Sequence, residues 1–413
     1  MASRPQVDTL PPPMRKTSLL VLFLTIFIDL LGFGIVIPLL PYFAKQYGAT
    51  GIWVGIIVGV YSLMQFLFAP VLGRISDRIG RRPVILISLA GSLTGYILFA
   101  LAQNLTGLMI ARIVAGIAGA NIGTAQAYIA DSTSLENRAK GMGLIGAAFG
   151  LGFILGPPIG GLMSHLSTVR GHAVNFYPGL TAAALSATAL LFAFFVLGES
   201  KQASAPSRRG LPPQFDPAMW RMISHRRALF LVIAALFLVI LSFAGMETTV
   251  TLFARAAFDF TARDLGFFFG FMGVIVALIQ GTLIGRFSRR IGEKRLVVFG
   301  TFSFLLGFVA MPIIADARLL WPVAFLVAVG QGLCYPSLHS LISKSAPPEQ
   351  MGSVLGIAAS MGSLARMIGP VMFGALWDAG AAPAAFFAAA GIVFAAFLLS
   401  LRVRQPPVTA RGA

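Results

Sequence analysis

The stretch GRISDRIGRR, residues 73–82, comes back 212 residues later as GRFSRRIGEK, residues 285–294, and that recurrence decides how the chain is read. Each copy follows the second of a group of apolar runs and precedes the third. A second pair supports the first: ENRAKGMGLIGAAFGLGFILGPPIGG from Glu136 matches EQMGSVLGIAASMGSLARMIGPVMFG from Glu349 at an offset of 213. Glu136, Gly143, Gly156, Pro157 and Gly161 then align with Glu349, Gly356, Gly369, Pro370 and Gly374. Two nearly equal offsets imply one duplication of a six-run unit.

The runs themselves are membrane spans. The 413 residues are 57% hydrophobic and 11% charged, and a mean hydropathy of +0.86 lies outside the range of water-soluble domains. Crossing about 30 Å of hydrocarbon takes roughly 20 helical residues. Twelve runs meet that length: 17–42, 51–72, 83–102, 107–130, 141–163 and 176–197, then 228–253, 264–284, 296–314, 319–341, 352–376 and 383–401. They are continuously apolar rather than alternating, which predicts an all-α bundle and not a barrel. The expected organisation is an N-terminal half (1–197), a cytoplasmic linker (198–227), a C-terminal half (228–401) and a cytoplasmic tail (402–413).

A net charge of +17 suggests nucleic acid only if the charges share one patch. With both termini inside, 24 of the 31 lysines and arginines fall on the cytoplasmic side, five fall outside, and Arg112 and Arg366 lie within spans. This is the positive-inside bias, so the charge reports topology and no nucleic-acid partner is expected. The N-terminus MASRPQVDTLPPPMRKT is polar, and the run after it is too long for a signal peptide core. The lone Cys334 allows neither an internal disulfide nor a cysteine metal cluster, and no cofactor or metal is expected. The linker, GESKQASAPSRRGLPPQFDPAMWRMISHRR, is polar and proline-rich, with Trp220 and Met222 placed at the membrane surface.

Twelve spans, the loop G-x-x-x-D-R-x-G-R-R at 73–82 and G-x-x-x-G-P-x-x-G-G at 152–161 resemble the major facilitator superfamily, and within it the twelve-spanning drug:proton antiporters. IDLLGFGIVIPLLP in the first run, RRPVILISLAG entering the third and ARIVAGIAGANIGTAQAYIAD in the fourth are most similar to the tetracycline-efflux branch. The resemblance implies two six-helix halves with a substrate site between them at mid-membrane, reached by alternating access. It also implies a bacterial inner membrane as the home. One chain already holds both halves, so a functional monomer is expected.

In the 73–82 loop, Gly73 and Gly80 are expected to permit a tight turn, and Asp77 can accept from Arg78 or Arg81. By resemblance Asp77 is the latch of the cytoplasmic gate, and Asp131 is a second partner for the loop arginines. The second copy has Arg289 at the position of Asp77, so only the first can latch in this way. Gly152, Gly156 and Gly160, spaced by four, with Gly161 beside them, offer a face for close helix approach. Pro157 is expected to bend that helix. By resemblance the pattern marks antiporters and seals the interface between the halves.

A charged side chain within a span costs about 2.5–3.5 kcal/mol on insertion scales, which directs attention to Asp29, Arg112, Glu247 and Arg366. Asp29 matches the first-helix aspartate of the tetracycline branch. A carboxylate in a poorly solvated cavity balances lost solvation against any neighbouring cation, so it can load and release a proton as access alternates. Arg112 is the expected cation, and the plainer reading is a permanent pair pinning the first helix to the fourth. Glu247, beside Thr248, Thr249 and Thr251, is read as a proton or substrate group or as a snorkel to the outer surface. Arg366 stands where the first half has Phe153; it either pairs with an acid across the cavity or binds an anionic group.

Gln65, Asn121, Gln126, Glu247, Gln280, Gln331 and Tyr335 are the candidate cavity residues. Thr124, Tyr128 and His339 are further polar groups on the same helices. Gly95 stands where the tetracycline branch has an acid, and the ninth run contains no carboxylate; both count against tetracycline itself. The expected function is proton-coupled export of a small hydrophobic drug or metabolite. A metabolite importer on the same fold and a non-transporting receptor or scaffold are the rivals. No G-x-S-x-G, H-E-x-x-H or P-loop pattern is present, which argues against an enzyme.

Overall fold

In hydrocarbon an apolar run has only its own backbone to satisfy its N–H and C=O groups, and each of the twelve runs is helical in the computed structural model, which describes residues 16–133, 135–200, 213–347, 350–380 and 382–403. The start of the chain, residues 201–212 of the linker, the repeat anchor Glu349 and the tail from 404 lie outside these residues. In the first half the helices are α1 (Lys16–Val36), α2 (Leu40–Gln46), α3 (Gly51–Ile79), α4 (Arg81–Leu101), α5 (Leu105–Ala118), α6 (Ile122–Ser132), α7 (Leu135–Val169) and α8 (Phe176–Val196). After α9 (Pro217–His225) the second half follows with α10 (Arg227–Phe258), α11 (Ala262–Leu278), α12 (Ile284–Ile291), α13 (Glu293–Ala310), α14 (Leu320–Ser345), α15 (Met351–Asp378) and α16 (Ala382–Arg402). Eleven of these elements, some joined end to end, are long and apolar enough to span a membrane, or twelve with the bent pair α1–α2.

One expectation needs correction. The first run is not one helix over 17–42: α1 and α2 meet at 43°, because Pro38 has no N–H to continue α1 and Pro41 suits the first turn of α2. The linker contains a short helix. Asp216 Oδ1 accepts from Ala218 N at 2.9 Å and starts α9, whose Trp220 and Met222 pack on the core and whose Trp220 Nε1 donates to Gln214 O at 3.0 Å. Helix α7 runs unbroken through Pro157 and Pro158. The fourth span tightens at Gly119–Asn121 between α5 and α6, and the eighth widens into a π turn at Ile279–Leu283 between α11 and α12.

Glycine decides how these helices meet. On α7, a Cβ at Gly152, Gly156 or Gly160 would strike the backbone of α1 around Leu30, Gly34 and Ile35, while one at Gly161 would strike α11 at Ala262–Gly266. On α15, Gly369 lies against Leu241 and Gly245 of α10, and Gly374 against Gly51 of α3. Each repeat copy thus packs glycine on the first helix of its own half, three residues on α7 and Gly369 on α15, and another glycine on the opposite half. Further contacts, Gly55 on Pro370, Gly59 on Met367, Gly266 on Pro157 and Gly273 on Phe153, extend the two seams between halves. All of them lie toward the end of the bundle that holds the start of α3 and the end of α15, away from the 73–82 loop.

Candidate functional site

Asp29 sits midway along α1 and lines a cavity of about 40 Å³ with Thr25, Ser92, Tyr96, Tyr61 and Asn121. Every lining residue falls between Thr25 and Phe149, in one half. A water needs on the order of 10–15 Å³ by this measure, so the cavity suits a few waters and not a drug. Ser92 is within hydrogen-bonding reach of the Asp29 carboxylate, whose Oδ1 is buried with no hydrogen-bond partner among the described residues.

Arg112 is not in ion-pair contact with Asp29 here. Its side chain, 2% exposed, stacks on the Tyr61 ring, with Cζ 4.4 Å from the ring centre, and Nε and Nη2 have no hydrogen-bond partner among the described residues. Tyr61 and Tyr96 line the Asp29 cavity and feel the charges of both Asp29 and Arg112. Sequence reasoning passed over both tyrosines; their signal was an aromatic hydroxyl inside a span, where a buried O–H has to find a partner. Gln65 serves the backbone: its Nε2 donates to Gly119 O at 3.0 Å and to the Tyr61 hydroxyl at 3.3 Å, satisfying a carbonyl at the tightened turn of the fourth span. Asn121 lies in that turn.

In the second half, Glu247 and Arg366 are both half-buried. Arg366 makes no ion pair among the described residues; Nη2 donates to Ser363 Oγ at 3.4 Å. Its charge reaches Glu247, His339 and, across the gap between halves, Tyr61. His339 lies against Tyr335, with ring centres 4.7 Å apart, and Tyr335 is 43% exposed. The hydroxyls of Thr248, Thr249 and Thr251 accompany Glu247 only in sequence: they donate to Ala244 O, Gly245 O and Glu247 O on their own helix. Gln331 and Gln280 are half-buried, Gln280 within the π turn, and Gln126 is exposed. Tyr128 is turned away from a central path, its hydroxyl donating to Gly198 O at 3.0 Å.

At the loop end, Gly80 carries the turn with φ of 109°, a conformation that favours glycine. Gly73 does not contribute to it, because α3 continues through residue 79. Arg81 collects the motif: Nη1 donates to Asp77 Oδ1 at 2.5 Å and Ser76 Oγ at 2.7 Å, and Nε to Asp131 Oδ2 at 3.0 Å. Glu199, unforeseen from sequence, accepts from the N–H groups of Arg81 and Arg82 at 2.9 and 3.2 Å, an anion at a helix N-terminus. In the second copy Glu293 occupies the place of Arg81, and it accepts from Ser288, Ser340 and Lys344. Lys344 stands 213 residues after Asp131, so the same pair recurs with its polarity reversed.

At the opposite end Asp378, the last residue of α15, accepts from Gly51 N at 2.6 Å and Ile52 N at 2.8 Å, the first residues of α3. Arg255 lies over the Tyr42 ring, with Cζ 4.8 Å from its centre. Both contacts cross between halves. A wholly apolar cavity of about 380 Å³ flanks the α3–α15 seam, between Ile56–Leu63 and Met367–Met372.

The profile of the Major Facilitator Superfamily matches residues 22–370 and 284–413. The "Tetracycline resistance protein, class C" of Escherichia coli is 34% identical over 375 residues, 89% of this chain and 91% of that one. The crystal structure of the human organic anion transporter MFSD10 (TETRAN) is 28% identical, with a TM-score of 0.69, covering 95% of this chain and 100% of that one. A bacterial homologue of the human lysosomal transporter Spinster, solved inward-facing and occupied, shares the fold at a TM-score of 0.77 and 13% identity, over 97% of this chain and 100% of that one.

Proposed function

The chain belongs to the major facilitator superfamily and is a multi-pass membrane transporter, and from that premise we propose that it exports a small hydrophobic compound in exchange for protons by alternating access. The observation that carries this reading is the pocket around Asp29: an acid with an unpartnered oxygen, in a cavity of about 40 Å³ confined to one half. A proton fits such a site and a drug does not, so the proton and the substrate take separate places. The substrate's place is between the halves, on the side where the charge of Arg366 reaches Tyr61, Glu247 and His339.

On the orientation given by the arginine bias, the loops at 73–82 and 285–294 are cytoplasmic and the glycine seams close the outer side. The molecule then faces the cytoplasm, ready to load. Asp77 pairs with Arg81 of its own half in this state, and it is proposed to meet the opposite half when the cytoplasmic side shuts. A bacterial inner membrane, both termini inside and a working monomer belong to the same proposal.

The driving force suffices. One inward proton yields about 2.3 kcal/mol per 100 mV and about 1.4 kcal/mol per pH unit, enough for an outward gradient of a neutral compound of a few hundredfold. Gly95 argues for a substrate other than tetracycline: a Cβ there would stand 3.0–3.1 Å from Ala115, so an acid at this position would force α4 and α5 apart. The relatives range from tetracycline resistance to organic anion transport, and the charge of the substrate has to be read from this chain's own cavity.

The test uses inverted membrane vesicles acidified inside and a pH-sensitive dye. Addition of a transported compound drains protons and restores the dye signal with wild type and not with Asp29→Asn. Equal recovery with both proteins removes Asp29 from proton coupling, and substrate uptake by intact cells without any recovery supports import instead.

A further inference from the structure

We infer that Arg366 is the anion-binding residue of the transport route, and that the substrate is an amphipathic organic anion with an aromatic or otherwise apolar body. The inference rests on the proposed route between the halves and adds the chemical class of what travels there.

Helical geometry places Arg366. At 100° per residue, Met367, Pro370 and Gly374 form the face of α15 that meets α3, while Gly362, Gly369 and Phe373 form the face that meets α10. Arg366 projects from the wedge between these faces, opposite the side that carries Ile368 and Met372 and borders the apolar cavity. That wedge points into the space between halves, in agreement with the reach of its charge to Tyr61. A guanidinium in mid-bilayer has to face partners or a cavity. Among the described residues this one makes a single long hydrogen bond, to Ser363, and no carboxylate lies within ion-pair distance of it. Glu247 is near enough to feel its charge without touching it. The forked donor set is left available for a planar anion.

The repeat counterpart in the first half has the complementary character. Tyr61 and Phe33 have ring centres 5.3 Å apart, and Phe33 and Phe153 6.0 Å. Phe153 is the repeat counterpart of Arg366. The duplicated position therefore presents an aromatic ring from one half and a cation from the other. A molecule with an apolar body and one carboxylate or sulfonate matches both, whereas a purely cationic drug meets Arg366 as a like charge.

Equilibrium binding to the purified protein in nanodiscs tests this without any proton gradient. The probes are dansylglycine, 2-naphthoate and dodecanoate, each beside its uncharged methyl ester. At least one acid should bind wild type roughly tenfold or more tightly than its ester, as expected of a single charge-assisted pair. Arg366→Gln should erase that preference by weakening the acid alone, and Arg366→Lys should keep part of it. The inference is overturned if no acid outbinds its ester or if Arg366→Gln retains the preference. It is also overturned if that variant loses acid and ester together and melts lower, the result expected of a structural partner for Glu247. Proton exchange driven by esters and dependent on Asp29, with no acid preference, sinks the anion inference while leaving proton-coupled export standing.

Discussion

The two copies of the repeat have kept their shape and divided their chemistry. Gly156 and Gly369 each lie on the first helix of their own half, Gly161 and Gly374 each touch the other half, and Gly80 and Gly292 both turn the chain with positive φ. At the charged positions the copies diverge. Asp29 corresponds to Ser242 and Phe153 to Arg366, and the Arg81–Asp131 pair returns as Glu293–Lys344. Close backbone approach leaves no latitude, because a methyl group between two helices has nowhere to go. A charge in a cavity has no such geometric twin to satisfy, and one half can specialise.

The largest expected effects therefore fall on the glycines, alike in both halves. Gly156→Val and Gly369→Val each drive side-chain atoms into a facing backbone, and overpacking of this kind costs about 1–3 kcal/mol or more. Both should sharply reduce the monodisperse fraction in fluorescence-detected size-exclusion chromatography. Gly356→Val, in open space, should elute as wild type. If only one of the two packed-glycine variants suffers, the symmetry of shape is broken.

Next comes the contrast between Asp29 and Ser242. Asp29→Asn should lower proton-driven exchange by about 100-fold or more, the range seen when a proton-transferring group is lost, with little change in folding. Ser242 donates to Ala389 O at 2.8 Å between α10 and α16, and Ser242→Ala should cost about 1 kcal/mol of stability and leave coupling intact. Thermal melts beside the dye assay separate the two outcomes.

The division between shape and chemistry also explains what could be read from the sequence. Twelve spans, the duplication and the G-P-x-x-G-G face were legible because glycine spacing and apolar length are local constraints written once per helix. The break at Pro38 was legible in principle, since two prolines three residues apart cannot sit inside one straight helix; length alone concealed it. Partners were not legible. Glu199 lies 118 residues from the Arg81 N–H it accepts, and Asp378 lies 327 residues from Gly51. No spacing rule connects them, and only the closing of the bundle brings them together. Arg112 stacks on Tyr61 for the same reason: a cation buried in hydrocarbon takes the nearest π face when the acid is out of reach.

A smaller effect is expected from reversing the polarity of one loop. Arg81→Glu alone removes the bonds to Asp77 and Asp131 and puts like charges together, while Arg81→Glu with Asp131→Lys restores an opposite-charge pair with the polarity of Glu293 and Lys344. Arg81 and Asp131 are 13% and 31% exposed at their side chains, whereas Lys344 is 50% exposed against a Glu293 at 10%, so the first pair, with neither group more than a third exposed, should couple by about 1–2 kcal/mol and the second by under about 1 kcal/mol. Double-mutant cycles on thermal unfolding measure both values. Equal coupling energies show that exposure is not what distinguishes the loops.

The smallest change should come from the cap at the opposite end. Asp378 places a carboxylate on the first two N–H groups of α3, a favourable site for an anion, and the bond exists only while the α3–α15 seam is closed. Removing it with Asp378→Ala costs the closed state about 1 kcal/mol and leaves the glycine packing in place. That amount corresponds to a roughly fivefold shift between the two access states, too little to unfold the protein and enough to be seen. Spin labels at Gln46 and Ala379, in a Cys334→Ala background, lie on opposite halves at this end. The variant should add a longer component to their distance distribution, and Asp378→Asn, which keeps an acceptor, should add less. An unchanged distribution with a lower melting temperature makes Asp378 a helix cap and nothing more; closure at this end then belongs to the glycine seams alone.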